Sequence, residues 1–386
     1  MAFLPFYIPT NKRLKVVIVG GGYAGIAALA ALTHYAPDID ITIIDPKEQH
    51  LKVTHLHETF RYPLSDLLVP FVDLEASFGC RHVCAALTLS EDTLRQWQSD
   101  KYLVVNDETV TFDYLVIAIG SDSKTFDSQE NVLNVQDFAV TAGSELLTRY
   151  LCEDDDQGEQ SISVVGGGAT GIQFLFEIQQ FLCRQKIRCK LRLINSGKQV
   201  LEQFPDGFDS YVQSRMHDSD IDFYPNTYYL GQQAGKILLK EKQTGEQFDL
   251  SSNVSLLFLG KKQENLFAAN AVGQLVVDHK PLNHIFVAGD CAYYNSFGSN
   301  ALTAQSAVRK GKLVARNILR HSGRLKILEP YLHRDIGYVV SLGSADAVGW
   351  LVAEGNVVTG LPALTIKELV EAQYDLLLMG IDTYII

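Results

Sequence analysis

Gly20-Gly21-Gly22-Tyr23-Ala24-Gly25 follows directly on the apolar run Lys15–Val19 and opens an Ala/Leu-rich stretch from Ile26 to Tyr35. Gly20, Gly22 and Gly25 fill the three slots of G-x-G-x-x-G, and each has a separate physical task. The first permits a tight turn out of a strand. The second removes the Cβ that would hold a pyrophosphate away. The third lets the helix pack close to the sheet. Pro37 and Asp38 break the helix pattern, and Ile39–Ile44 is a second apolar run closed by Asp45. An acid there is placed to hydrogen-bond an adenosine ribose. Strand, glycine turn, helix and strand form a βαβ unit whose helix N-terminus is turned to phosphate.

The theme returns far along the chain. Ser161–Val165 leads into Gly166-Gly167-Gly168-Ala169-Thr170-Gly171, then Ile172–Gln185, then Lys190–Ile194. Gly166, Gly168 and Gly171 repeat the three slots, so a second ADP-containing ligand is expected. The acid does not return, because Leu193-Ile194 runs into Asn195-Ser196-Gly197-Lys198. Asn195 can bond a ribose hydroxyl but does not repel a 2′-phosphate, and Lys198 is close by. NADH and NADPH both stay open, as does a second unit that binds no nicotinamide.

Outside the two units, Tyr102–Val105, Val110–Phe112 and Tyr114–Ile119 read as strands, the last ending in Gly120-Ser121. The acidic run Glu153–Gly158 reads as a solvated linker. Val254–Leu259 is closed by Gly260, and His284–Ala288 by Gly289-Asp290. A strand-like Gly337–Leu342 and an apolar, mainly helical Leu361–Ile386 make a small third region. The expected fold is α/β, with two Rossmann-like three-layer domains plus this C-terminal region.

At 386 residues the chain exceeds the roughly 250–300 at which a single core stops growing, which fits more than one domain. A net charge of −12 argues against nucleic acid as a partner. The six cysteines form no C-x-x-C pair and give no zinc or disulfide framework, so reduced thiols in the cytoplasm are expected. Met1–Arg13 lacks the pattern of a signal peptide. No run of about 18 apolar residues would span a bilayer as a helix.

In order, the first unit, Phe112–Ser121, the second unit and His284–Ala292 resemble the two-dinucleotide-binding-domain flavoproteins. The closest branch is the type II NADH dehydrogenases and their quinone-reducing relatives. Thr303–Arg309 resembles that branch's Ala-Gln-x-Ala-x-Gln run. Gly337–Gly349 resembles its C-terminal strand and turn, and Leu257–Gly260 the strand ending its nicotinamide domain. The resemblance implies an FAD-binding domain at 1–125 and 283–330, an NAD(P)H-binding domain at 126–282, and a C-terminal region at 331–386. It implies FAD as cofactor, NADH or NADPH as substrate, and hydride transfer through the flavin to a quinone. A soluble flavoprotein with a non-quinone acceptor, or an FAD-binding protein with a degenerate nicotinamide site, are the alternatives.

By the same resemblance, FAD meets Gly20, Gly22, Ala24, Gly25, Asp45, Ala118, Gly120, Gly289, Asp290, Ala304 and Gln305. The nicotinamide dinucleotide meets Gly166, Gly168, Gly171, Asn195 and Gly260. Gln173, Gln305 and Arg309 are the candidates nearest the redox chemistry. Gln173 stands where the branch carries Glu, and Arg309 where it carries Gln. Arg309 either stabilises a quinol anion or, the plainer reading, pairs with a surface carboxylate. His50, His55 and His57 are expected on the adenylate side or in solvent, with no metal, and Cys291 as a small packed residue. The segment 361–386 is expected to dock on a membrane, peripherally on the cytoplasmic face, or to pack within the chain or against a second copy. Its acidic residues suit anionic lipid poorly.

Overall fold

The computed structural model describes residues 13–121, 130–151, 160–261 and 266–384. The acidic run expected as a linker lies outside them. The first unit forms as β1 (Lys15–Val19), α1 (Tyr23–Tyr35) and β2 (Asp40–Asp45), and the second as β3 (Gln160–Val165), α2 (Ala169–Gln185) and β4 (Cys189–Ile194). Two further helices matter for the site: α3 (Ala304–His321) and α4 (Leu361–Leu378).

Each unit anchors its own sheet. In the first, β1 pairs in parallel with β2 on one side and with Tyr114–Ile117 on the other. The eight-stranded order is Ala292–Tyr294, Phe267–Ala269, Gln274–Val277, Lys280–Val287, Tyr114–Ile117, β1, β2 and Arg81–Cys84. In the second, β3 lies between β4 and Val254–Leu257 in a five-stranded sheet, with Asp222–Tyr224 and Val132–Asn134 at its edges. This strand order departs from the boundary expected at residue 283. Phe267–Ala269 and Gln274–Val277 already belong to the first sheet, because the chain returns there as an antiparallel ribbon ahead of Lys280–Val287. A single sequence shows apolar runs, but not which sheet edge captures them.

Helix α1 is apolar on every face, and Ala24–Leu32 are all buried. Such a helix needs cover on all sides. The first sheet supplies one side and α3 another. Gly311 of α3 lies so close to α1 that a Cβ there would sit 2.2 Å from the Ala24 carbonyl oxygen. The small residues of α1 therefore serve close helix packing as well as helix propensity. Helix α3 is buried on more than one side, with Val314, Ala315, Ile318 and Leu319 packed in the core around α1 and Leu313 in a second cluster with Val17 and Leu115.

The C-terminal region is a three-stranded antiparallel sheet, Gly337–Ser341, Ala347–Leu351 and Ala353–Thr359, followed by α4. The helix stops at Leu378 rather than running towards Ile386, and the strap that follows, residues 379–384, meets α3 through Asp382 and Tyr384. Lys312 of α3 and Asp382 of the strap form a largely buried ion pair at 2.7 Å. The expected docking tail is thus partly a core element. Ala363, Lys367, Tyr374, Leu377 and Leu378 of α4 are buried, while Leu361, Leu369, Val370, Met379 and Ile381 stay exposed.

Candidate functional site

The two glycine turns share one geometry. Gly20 turns at φ +105 with its amide donating to the Ile44 carbonyl at 2.8 Å. Gly166 turns at φ +113 with its amide on the Ile194 carbonyl at 2.9 Å. A Cβ on Gly20 would lie 2.4 Å from the Ala118 oxygen, and on Gly166, 2.2 Å from the Phe258 oxygen. Only glycine fits these positions. Gly25 and Gly171 are equally constrained, since a Cβ on either would come within 1.9 Å of the first glycine's carbonyl oxygen. Gly22 and Gly168 face open space.

That openness is the fit expected for a diphosphate. Gly22 and Gly168 are the N-caps of α1 and α2, and neither helix has a side-chain cap. The first-turn amides therefore keep N–H groups for an anion, assisted by the positive end of the helix dipole. Helix α3 differs, because Thr303 Oγ1 accepts the Ser306 amide at 3.1 Å.

The strand ends treat the turns alike at one atom and differently beyond it. Asp45 Oδ2 accepts the Gly21 amide at 2.7 Å, and its Oδ1 the Lys47 amide at 2.9 Å. Asn195 Oδ1 accepts the Gly167 amide at 3.0 Å. The Asn195 amide nitrogen donates to the Gly197 and Gln199 carbonyls at 3.3 and 2.7 Å. The Gly21 carbonyl takes a ring N–H from His50 Nδ1 at 3.0 Å, whereas the Gly167 carbonyl takes the Leu201 amide at 2.8 Å. A carbonyl only accepts, so the His50 proton sits on Nδ1, and Nε2 accepts from Tyr374 OH at 3.0 Å. Burial lowers the His50 pKa to about 4.

A short 3₁₀ segment, Val53–Phe60, runs between the two units. Thr54 Oγ1 bonds the hydroxyl of Tyr23, the first residue of α1, at 2.7 Å. His57 Nε2 and Gln173 Nε2 of α2 both reach the Ser341 hydroxyl, each at 3.1 Å. Arg61 grips Glu177 of α2 through two nitrogens at 2.9 and 3.0 Å, and the Glu177 side chain is 0% exposed. Burial pushes the Glu177 carboxyl up against the pull of Arg61. The three histidines therefore do not face solvent. His50 and His57 are buried, and burial, with Lys367 nearby, takes the His57 pKa down to about 3.

His55, Glu58 and Glu371 bring three ligand-type atoms within 4.8 Å of one another. The ammonium of Lys367 already sits among them, 3.0 Å from Glu58 and 2.6 Å from Glu371. Burial pushes the Glu58 carboxyl up, yet His55 and Lys367 hold it well below the usual carboxylate range. Lys367 thus works as an internal counter-ion that fixes α4 to the 53–60 segment. It is not a lipid-facing charge.

The remaining predicted residues gather around the N-terminus of α3. Gly120, Gly260 and Gly289 take left-handed conformations at strand ends. Asp290 is buried to 9% exposure, pairs with Lys261, and lies 3.5 Å from the Ser121 hydroxyl. Ala304 and Gln305 begin α3, and Arg309 follows Gln305 by about one helical turn. Arg309 is half-buried, with its guanidinium 5.6 Å from the centre of the Tyr384 ring. The strap thus supplies one neighbour of this guanidinium. Cys291 is buried and its thiol, raised to about 12 by burial, donates to the Ala288 carbonyl at 3.2 Å.

Sequence reasoning passed over Lys261, Lys310, Ser341 and Tyr374. Lys261 had a signal, since it follows the glycine that closes a buried strand. Lys310 had none. Its ammonium is fully buried, donates to the Ala292 carbonyl at 2.9 Å, and lies 5.2 Å from the Tyr294 ring centre. Burial draws its pKa to about 8, against the pull of Asp290.

The pyridine nucleotide-disulphide oxidoreductase family model matches residues 14–311. A protein of Staphylococcus epidermidis named type II NADH:quinone oxidoreductase is 28% identical, over 94% of this chain and 95% of its own length. The Staphylococcus aureus protein of that name is 26% identical with the same coverage. The structure of NDH2 from Plasmodium falciparum in complex with NADH superposes with a TM-score of 0.80 at 14% identity, covering 94% of this chain and 95% of that one.

Proposed function

The chain belongs to the pyridine nucleotide-disulphide oxidoreductase family, and on that premise we propose that it is a flavin-dependent oxidoreductase carrying electrons from NAD(P)H to a quinone. FAD, when bound, supplies the redox chemistry, accepting a hydride equivalent from reduced nicotinamide and returning two electrons to the acceptor. The observation that carries the reading is the bridge between the units. The 53–60 segment bonds the start of α1 through Thr54 and meets Gln173 of α2 through His57 and Ser341. Two open glycine cradles are thereby bridged by one segment, which suits transfer between two dinucleotides.

The chain's own residues have separable tasks. The α1 amides and Asp45 hold the FAD diphosphate and adenosine ribose. Asp290 and the first amides of α3 hold the rest of that cofactor. The α2 amides hold the nicotinamide dinucleotide, and Gln173 orients its reactive end. Gln305 and Arg309 line the acceptor side, with Tyr384 of the strap stacked against the guanidinium. Tight packing of the 53–60 segment and α4 keeps water out.

Among the described residues, no helix is long and apolar enough to cross a membrane. We place the exposed Leu361, Leu369, Val370, Met379 and Ile381 on a bilayer surface, through which an apolar quinone reaches the enzyme. Anaerobic addition of NADH or NADPH to the purified yellow protein should bleach the flavin, and a soluble quinone should restore it. A flavin that neither nucleotide bleaches would refute electron transfer. Flotation with liposomes tests the surface, and a concentration-dependent dimer without flotation would assign the exposed face to a second copy instead.

A further inference from the structure

We infer that the second glycine turn is built for a 2′-phosphorylated dinucleotide, so that NADPH is preferred to NADH, with Ser196 and Lys198 as the phosphate-holding residues. This rests on the reading that α2 receives a reduced nicotinamide.

The side chain at the end of a unit's second strand meets the adenosine ribose. A carboxylate there bonds the 2′-hydroxyl and repels a phosphate in its place. Asp45 keeps that character in the first unit. In the second, Asn195 is neutral, and its amide is committed to the chain on both sides. Its oxygen holds the Gly167 amide, and its nitrogen holds the Gly197 and Gln199 carbonyls. It works as a loop clamp and carries no charge against an anion.

The clamp has a consequence for the loop it organises. The Asn195 carbonyl accepts from the Thr227 amide at 2.9 Å, and the Gly197 carbonyl from the Asn226 amide at 2.9 Å. The Ser196 carbonyl accepts from Lys242 Nζ at 3.4 Å, and the Gln199 carbonyl from Asn195. With these acceptors engaged, an incoming group meets the exposed Ser196 hydroxyl and the exposed Lys198 ammonium. Lys198 makes no ion pair among the described residues. Lys242 is held over the Tyr228 ring, 5.8 Å from its centre, which keeps a second positive charge beside the loop. A doubly charged phosphate gains from two nearby cations and a hydroxyl donor, and a ribose hydroxyl gains little from them.

One carboxylate opposes this. Glu202 Oε1 lies beside Gly197, 3.5 Å from the Gln199 amide. A Cβ on Gly197 would come within 2.0 Å of that oxygen. Glu202 is either a cap on the loop, as we infer, or a displaced replacement for the missing acid. Two further carboxylates lie near the loop and are engaged: Asp209 Oδ1 accepts the Val200 amide at 2.8 Å, and Glu241 accepts the Thr244 amide in the next turn.

The FAD-loaded protein decides between these. Anaerobic stopped-flow reduction should give a kcat/KM for NADPH at least about tenfold above that for NADH. Lys198→Ala should lower the NADPH-to-NADH ratio about tenfold, and Asn195→Asp should lower it at least as far. Calorimetry should show 2′,5′-ADP binding more tightly than 5′-AMP, with the difference shrinking in Lys198→Ala. Equal or better use of NADH, or a loss of NADH use in Glu202→Ala, would overturn the inference. Should neither nucleotide reduce the flavin, the electron-transfer reading fails, and the calorimetric comparison still decides the phosphate site.

Discussion

The two glycine turns are near-copies in backbone and unlike in their surroundings. Both first glycines are left-handed, both third glycines abut the first carbonyl, and both middle glycines stand open. Both second-strand ends reach back to the amide between the first two slots. The difference lies in charge and support. The first turn leans on Asp45 and on a buried His50, and Tyr374 of α4 holds that imidazole. The second leans on Asn195 and a backbone amide, with lysines nearby. Backbone geometry decides that a diphosphate can bind. On the proposed reading the side chains at the strand end select the nucleotide, and the first turn is tied to α4 through His50 and Tyr374.

Blocking one cradle at a time gives the largest separation. Gly22 and Gly168 have extended backbones, so valine suits either in the empty fold but fills the diphosphate space. Gly22→Val should weaken FAD about a thousandfold or more and yield colourless protein of unchanged helicity. Gly168→Val should stay yellow while losing reduction by nicotinamide. If both variants lose the flavin, the turns are not independent sites.

Next come the third glycines, where the two turns should behave identically. Gly25→Ala and Gly171→Ala each force a Cβ against a carbonyl oxygen, and each should cost about 3 kcal/mol in urea unfolding. A harmless alanine at either position would break the proposed symmetry.

Acid should then distinguish the turns. His50 has a pKa of about 4 when folded and an ordinary value when unfolded, so the unfolded chain binds more protons between these values. Its contribution is full above the ordinary value and is lost as pH falls towards the folded one, about 2 kcal/mol by pH 5. His57 acts in the same sense, whereas the raised carboxyls of Glu177 and Glu371 act oppositely and offset part of it. The His50 share should appear as acid-induced loss of FAD, with nicotinamide-analogue binding less affected. Equal loss at both sites would remove His50 from the first turn's support.

The smallest expected effect is at the strand end. Asp45→Ala removes acceptors for the Gly21 and Lys47 amides, and FAD should bind about tenfold more weakly by fluorescence titration. No change would mean that the diphosphate cradle alone fixes the cofactor.

Much of this site was legible as spacing. The three glycine slots, the apolar strands before them and Asp45 sit within one βαβ unit, where neighbours in sequence are neighbours in space. The same locality made Asn195 visible as a departure. The extent of the second domain was not legible, because capture of Phe267–Ala269 by the first sheet depends on strands far away in the chain. The burial of His50 and His57 was not legible for a related reason. A histidine near the start of a domain carries no sign that Ser341 and Tyr374 will close over it. Arg309 likewise gives no hint of Tyr384.

The sequence by itself determined two phosphate-ready turns, because sterics at a glycine and the dipole of the helix behind it are local properties. Tertiary structure alone decided how the turns are joined, which charges are buried together, and that Lys367 faces inward to Glu58 and Glu371. Those outcomes depend on desolvation and on contacts between residues hundreds of positions apart, and no short-range pattern encodes them.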